Sequence, residues 1–305
     1  MLKESIVLTG ATGFIGSHLL QALVDSGRDV VILCRSFSDT RRIKHLLGGG
    51  VRRIDIDMQD IDQALSMTSL LGVIHVAADY GCMGNEVERV FKGNFLLPVK
   101  ILDVAIRTQA RFFINTESFF NKCQFDYPYL QEYTYSKKCF LGWALKKSGE
   151  LHVANVQLEH VYGPQDGPDK FVSSVLAQML DPDSVEIKLT LGEQKRDFVF
   201  ISDVVDAYLR VIDSAERSGP GYRCFEVGSG VSTAIKHFVQ MIHAAATSKA
   251  KLSFGAIPSR ESEIMDSFAD LTAIRSLGYT PNVSLQDGIR RLVDATIQER
   301  QKLIN

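Results

Sequence analysis

Ile6-Val7-Leu8-Thr9-Gly10-Ala11-Thr12-Gly13-Phe14-Ile15-Gly16 decides the fold of this chain. Ile6 to Leu8 is an apolar run of buried-strand length, and it breaks at Gly10. From Gly13 the apolar spacing turns helical, with Phe14, Ile15, Leu19, Leu20 and Leu23 on one side. The glycines stand at G-x-x-G-x-x-G spacing. The first permits a tight turn, the second lets backbone amides approach a pyrophosphate, and the third lets the helix lie close on the strand. The helix N-terminus then offers unpaired N–H groups and the positive end of its dipole to the phosphates. A strand before the glycines and a helix after them is the context this dinucleotide motif requires. The plainer reading of the same residues is a turn that only joins two elements.

Outward from that turn, strands and helices alternate. Gly27 closes a helix of about residues 14–26. Asp29-Val30-Val31-Ile32-Leu33-Cys34-Arg35-Ser36 reads as the second strand and its exit. An NAD-binding fold usually carries a carboxylate at this exit to hold the ribose 2′-OH. Arg35 and Ser36 stand there instead. A guanidinium suits a 2′-phosphate, so NADP is favoured, with NAD still possible if Asp39 supplies the acid. Residues 51–57 form a third strand ending at Asp57-Met58, and Gly48-Gly49-Gly50 before it is a flexible joint. Residues 72–78 form a fourth, whose small Ala77 and Ala78 let a flat ligand lie on the backbone; His75 within it reads as a packed core histidine. A helical pattern covers 94–108, and 111–116 is a fifth strand. The alternation to about residue 160 implies a doubly wound, mostly parallel (Rossmann) α/β sheet with ligands at the carboxyl ends of its strands.

The second half is less regular. It shows a strand at 151–158, a break at Tyr162-Gly163-Pro164, a helix from Phe171 to Leu180, a strand at 196–200 leading to a helix at 204–213, and a strand at 224–228. A smaller mixed C-terminal lobe follows. The expected division is a dinucleotide-binding domain of residues 1–165 and 196–230, interleaved with a substrate lobe of 166–195 and 231–305.

Composition narrows the function classes. The chain has 305 residues, 45% of them apolar, enough for one large or two packed domains. A net charge of -2 gives no basic field for nucleic acid, and the Arg pairs at 41–42 and 52–53 read as solvated faces. No stretch approaches the roughly 18–20 apolar residues of a membrane span. Lys3 and Glu4 precede any apolar run, so no export signal is expected. Five scattered cysteines, with no C-x-x-C, read as the free thiols of a cytoplasmic protein without a metal site.

Tyr133-Thr134-Tyr135-Ser136-Lys137 carries the chemistry. Residues four apart share a helix face. A phenol near pKa 10 is a poor acid or base at neutral pH, and a nearby ammonium brings it into range. Thr116, at the end of the fifth strand, offers a hydroxyl to a substrate oxygen beside Tyr133.

At this point the chain resembles an extended short-chain dehydrogenase/reductase of the nucleotide-sugar epimerase, dehydratase and reductase family. The resemblance is carried by residues 9–16, His75-Val76-Ala77-Ala78, Asn94, Thr116, Tyr133-x-x-x-Lys137, Val161-Tyr162-Gly163-Pro164 and Arg196-Asp197-Phe198-x-x-x-x-Asp203-Val204, nearly the whole chain in the family's order. It implies a catalytic triad of Thr116, Tyr133 and Lys137. It implies cofactor contacts from Gly10, Thr12, Gly13, Phe14, Ile15, Gly16, Arg35, Ser36, Asp57, Met58, Ala77, Ala78, Asn94, Tyr133, Lys137 and His160. For a nucleotide-sugar substrate it implies Thr116, Glu117, His160, Phe171, Arg196 and Arg260, the two arginines holding the diphosphate. Homodimerisation through helices near 94–108 and 133–147 is implied in the same way.

Departures sharpen the expectation. Dehydratases of this family place an Asp-Glu pair after the threonine; here Glu117-Ser118 follows, and the missing second carboxylate argues against dehydration. His160 stands where many members have Asn. Residues 115–122, 158–164 and 189–198 resemble the CDP-abequose/CDP-paratose synthase branch, whose members reduce a CDP-linked 4-keto-3,6-dideoxyhexose for bacterial O-antigen lipopolysaccharide. The expected activity is therefore NADPH-dependent 4-ketoreduction. Its alternatives are an NAD-dependent epimerase and a non-catalytic NADP-binding sensor.

Overall fold

In the computed structural model, which describes residues 4–81, 87–125 and 128–304, the chain runs as follows. β1 (Ser5–Thr9), α1 (Phe14–Asp25), β2 (Asp29–Cys34), β3 (Arg52–Asp55), α2 (Ile61–Ser66) and β4 (Leu70–His75) come first. α3 (Val87–Phe91), a π turn (Lys92–Leu96), α4 (Leu97–Arg107), β5 (Phe112–Ser118), α5 (Gln131–Lys147) and β6 (His152–Leu158) follow. Then come β7 (His160–Tyr162), α6 (Phe171–Met179), β8 (Glu186–Leu189), β9 (Lys195–Phe200), α7 (Ile201–Ala215) and β10 (Gly221–Val227). β11 (Ser232–Ala234), α8 (Ile235–Ala245), β12 (Lys251–Phe254), α9 (Thr272–Arg275) and α10 (Leu285–Ile304) complete it.

Seven strands form one sheet in the order β10-β6-β5-β4-β1-β2-β3. The pairs from β6 across to β3 are all parallel. Every residue of β1 is buried, and the apolar run Ile6–Leu8 fills its middle between Ser5 and Thr9. The doubly wound α/β fold is as expected, and the order reverses between β1 and β4, where such sheets bind ligands. Val7, Val31, Val73, Phe113 and Val153 from successive strands pack with Ile101, Leu102, Ala105, Phe140 and Ala144 of α4 and α5.

Contacts divide the chain into two compact units. The first is Met1–Leu158, Val205–Glu226 and Thr272–Tyr279; the second is Glu159–Val204, Val227–Leu271 and Thr280–Asn305. The grouping differs from the sequence partition: residues 159–165, 196–204 and 227–230 fall in the second unit and Thr272–Tyr279 in the first, the largest shift from the expected dinucleotide domain being 196–204. The reason is β9, which pairs in parallel with β7 and antiparallel with β11 rather than joining the large sheet. The second unit also holds a parallel β8–β12 pair and a core of Tyr162, Phe198, Phe200 and Phe238, in which the Phe198 and Phe238 rings stack at 3.6 Å. Cys34, Cys123, Cys139 and Cys224 are free thiols; Cys82 lies outside the described residues. Among the described residues no helix is long and apolar enough to cross a membrane, and no cluster of metal-ligating side chains occurs.

Candidate active site

The glycine turn has the geometry its spacing implies. Gly10 adopts φ +70°, and a Cβ there would lie 2.6 Å from the Ala77 amide nitrogen, so this turn packs against the end of β4. A Cβ on Gly16 would overlap the Gly10 carbonyl oxygen. The third glycine thus lets α1 close on the turn itself. Gly13 caps α1 with extended backbone and no side-chain acceptor. The first-turn N–H groups are left for an anion, which fits the pyrophosphate of a nicotinamide dinucleotide. Thr9 ties the neighbouring strand in: its hydroxyl lies 2.9 Å from His75 Nδ1 and accepts from the Val76 and Ala77 amides. His75 is fully buried and held neutral, its pKa pushed down to about 3 by burial and by Lys137. It is a core residue, as expected.

Two arginines expected on solvated faces belong to this region. Arg42 donates to the Thr12 carbonyl at 3.3 Å, beside the glycine turn. Arg53 bonds Asp55 at 2.7 Å and the Arg35 and Ser36 carbonyls at 3.4 and 3.0 Å. Both arginines donate to backbone carbonyls, Arg42 in the glycine turn and Arg53 at the exit of β2, and both remain partly exposed. Asp57 accepts from the Ser36 amide at 2.7 Å and its hydroxyl at 2.6 Å, which holds the Asp57 carboxyl below its usual range. Arg35 is exposed at the tip and lies over Phe37. Asp39, the alternative ribose acid, is engaged by Arg41. Arg35, Ser36 and Asp57 thus meet at the exit of β2, where the ribose end of a nicotinamide dinucleotide fits. Thr12, Phe14 and Ile15 are half-buried in this turn, while Met58 and Ala78 are exposed.

Asn94 sits in the π turn and is fully engaged by protein. Its Oδ1 accepts from the Asp79 amide at 2.7 Å, and its Nδ2 donates to the Asp79 carbonyl and the Ser136 hydroxyl at 2.8 and 3.1 Å. It joins the loop after β4 to α5.

α5 forms with Glu132 in its first turn and Lys146 and Lys147 in its last, which suits the helix dipole. Tyr133, Ser136, Lys137, Phe140 and Ala144 form its buried stripe, so Tyr133 and Lys137 do share a face. The expected electrostatics differ. Lys137 is buried; its Nζ donates to the Thr116 carbonyl at 2.7 Å and stands 5.7 Å from the centre of the Tyr133 ring. Burial, then Tyr80 and the Glu117 charge, push the Tyr133 phenol well above its ordinary value, and the Ser118 hydroxyl, bonded to it, only eases it down. Lys137 is itself biased toward neutrality by burial, which weakens the help an ammonium would give the phenol. Tyr80 stacks on Tyr133 at 4.6 Å, nearly parallel. Thr116 is buried, and its hydroxyl bonds the Tyr208 hydroxyl at 2.5 Å.

Ser118 is therefore a hydroxyl at Tyr133 that the sequence reading passed over. The signal was available: residues i and i+2 of a strand face one way, so Thr116 and Ser118 share a face. Glu117 is 1% exposed, and burial raises its pKa.

The other expected substrate residues lie in the second unit. His160 meets the Phe198 ring edge-on and is held neutral, at about 4, by burial and by Arg196 and Lys170. Phe171 begins α6 and is half-buried. Arg196 is buried; its guanidinium donates to the Lys195 and Ile264 carbonyls at 2.7 and 2.5 Å and pairs with Glu263. Glu263 also lines a cavity of about 340 Å³ with Leu191, Glu193, Gln194, Arg260 and Met265. The structure thus brings Arg196 and Arg260 to one neighbourhood through Glu263.

The profile of the NAD dependent epimerase/dehydratase family matches residues 6–228. The chain belongs to that family. Within it the chain is 36% identical to a CDP-abequose synthase of Salmonella typhimurium over 298 residues, covering 96% of this chain and 98% of the relative. A second CDP-abequose synthase, from Salmonella muenchen, is 31% identical with the same coverage. Among solved structures, MoeE5 in complex with UDP-glucose and NAD superposes with a TM-score of 0.82 at 25% identity, covering 97% of this chain and 99% of that one. The glycine turn, the Tyr133–Lys137 pair and the Arg196 segment all fall inside the residues matched to the epimerase/dehydratase family.

Proposed function

We propose that this protein is an NADPH-dependent reductase of the C4 keto group of a nucleotide-linked 4-keto-deoxyhexose, CDP-linked, in bacterial O-antigen deoxysugar biosynthesis. The observation that carries the reading is the Tyr133 phenol, buried on α5 and kept protonated. A ketoreductase needs a proton donor at the nascent C4 alkoxide, and a phenol held protonated beside it can serve. NADPH, when bound, supplies the hydride to C4. Tyr133 donates the phenolic proton to the oxygen; Lys137 holds the adjacent ribose; Thr116 and Ser118 set the hydroxyl environment. The whole-length similarity to two CDP-abequose synthases supports the substrate class. Arg35 and Ser36 support NADP, and Arg196 with Arg260 supports a diphosphate. In this reading the first unit carries the dinucleotide and the second the sugar nucleotide, the protein is cytoplasmic, and two copies pair.

The NAD complex of MoeE5 favours a second reading, an NAD-dependent epimerase. The test is purified protein with a CDP-linked 4-keto-3,6-dideoxyhexose. Stoichiometric NADPH oxidation with formation of the 4-hydroxy sugar supports reduction. Retained NAD with interconversion of sugar nucleotides and no net oxidation selects the epimerase. Tight NADPH binding without turnover on any keto-sugar nucleotide selects a sensor.

A further inference from the structure

Three buried side-chain polar atoms among the described residues have no hydrogen-bond partner: Asn115 Oδ1, Glu117 Oε2 and Asn121 Oδ1. All three lie between residues 115 and 121, from the middle of β5 to the turn after it. Buried polar atoms are nearly always paired, so a cluster of orphans at one strand end points to a ligand.

Glu117 is the most informative of them. Its Oε1 accepts from the Ser118 amide at 2.8 Å and from Asn121 Nδ2 at 3.1 Å. Asn121 is in turn held by the Thr134 carbonyl at 3.0 Å, so the carboxyl is fixed against α5. Two donors aimed at Oε1 leave Oε2 as the oxygen available to carry a proton. The groups around it are Tyr133, Lys137 and Lys138 of α5 and Tyr222 of β10. Lys137 and Lys138 favour the carboxylate, but burial outweighs them. A neutral Glu117 also removes the charge that opposes ionisation of Tyr133, and it leaves an O–H with no acceptor among the described residues.

We propose that Glu117 takes part in the reaction as an uncharged acid whose Oε2–H donates a hydrogen bond to the substrate oxygen being reduced, beside the Tyr133 phenol. This rests on the ketoreductase reading of the same site. As hydride reaches C4 the oxygen gains negative charge, and a second fixed donor stabilises it without itself giving up the proton. The proton that neutralises the alkoxide still comes from Tyr133.

The test compares Glu117→Gln, which keeps an acceptor for the Ser118 amide and a donor at the second position, with Glu117→Met, which keeps bulk only. With wild-type turnover and an inactive Tyr133→Phe first established, the proposal expects kcat to fall about 100-fold in Met and only severalfold in Gln, with KM for NADPH little changed. Neutral Glu117 is the working form, so the wild-type rate declines as pH rises through its raised pKa; that limb disappears in Gln. Difference infrared spectroscopy at neutral pH should show a protonated carboxyl band in wild type that Gln lacks, a readout independent of turnover. A Gln variant as impaired as Met, a Met variant with wild-type kcat, or an absent carboxyl band overturns the proposal. If wild type reduces no keto-sugar nucleotide, the ketoreductase reading fails instead, and the infrared band still reports on Glu117.

Discussion

The surroundings of Tyr133 raise its phenol above the ordinary value although Lys137 lies one helical turn away. Its phenol rests protonated in a buried pocket under Tyr80, and the amine one turn away is engaged by the Thr116 carbonyl. Tyr133→Phe should abolish turnover on a keto-sugar nucleotide while the dissociation constant for NADPH, measured by fluorescence titration, stays within about twofold, since the ring and its stacking are kept. Arg35→Asp should lower the NADPH-to-NADH preference about ten- to hundredfold in steady-state kinetics, the worth of one charge-assisted contact to a phosphate. An unchanged ratio would remove Arg35 from that role. His75 gives a pH dependence with a definite sign. Folded, it stays neutral down to about pH 3; unfolded, it takes its proton near 6.5. The unfolded chain binds the extra proton, so stability falls as pH drops through that window, by about 1.4 kcal/mol per unit while the gap is open. Urea unfolding at pH 7 and pH 5 should show a smaller loss in His75→Gln than in the wild type.

At the scale of elements, the glycine turn and α5 are held by different devices. The turn depends on absent side chains. Gly16→Ala would push a methyl into the Gly10 carbonyl oxygen, backbone against backbone, and should cost about 2 kcal/mol or more in chemical denaturation and weaken dinucleotide binding. α5 is held by Asn94, whose carboxamide satisfies both the Asp79 backbone and the Ser136 hydroxyl. Asn94→Leu orphans buried polar groups and should cost about 1–3 kcal/mol; a neutral effect on urea midpoint would show that the loop is held by other contacts. What was legible in the sequence follows the same division. β1 and α1 announce themselves through local periodicity, the doubly wound parallel sheet follows from alternation, and α5 was placed by its Tyr-x-x-x-Lys motif. α8 and α10 went unread: α10 mixes Arg290, Arg291, Glu299 and Arg300 with a thin apolar stripe of Ile289, Leu292 and Val293. The site was legible as a set of residue types. The turning of Lys137 to a carbonyl, the capture of Thr116 by Tyr208 and the orphaned Glu117 oxygen were not, because each depends on packing between segments far apart in the chain.

The whole molecule is interleaved. The chain passes between its two units at 158/159, 204/205, 226/227, 271/272 and 279/280, so no single cut yields either unit whole. A fragment of residues 1–158 contains the glycine turn and the Tyr133–Lys137 pair, yet lacks β10, the seventh strand, and Tyr208 of α7. It also loses Asp213 and Glu216, which both pair with Arg28 beside α1. That fragment should fail to show a cooperative thermal transition by circular dichroism and should not bind NADPH; a sharp transition would show that the first six strands suffice.

The hydroxyl contact between Thr116 and Tyr208 spans 92 positions of sequence. During synthesis the ribosome therefore releases the tyrosine and lysine of α5 well before the residue that orients their threonine neighbour exists. A nascent chain paused short of α7 has Thr116, Tyr133 and Lys137 but an unfinished site, which is completed only once α7 has emerged.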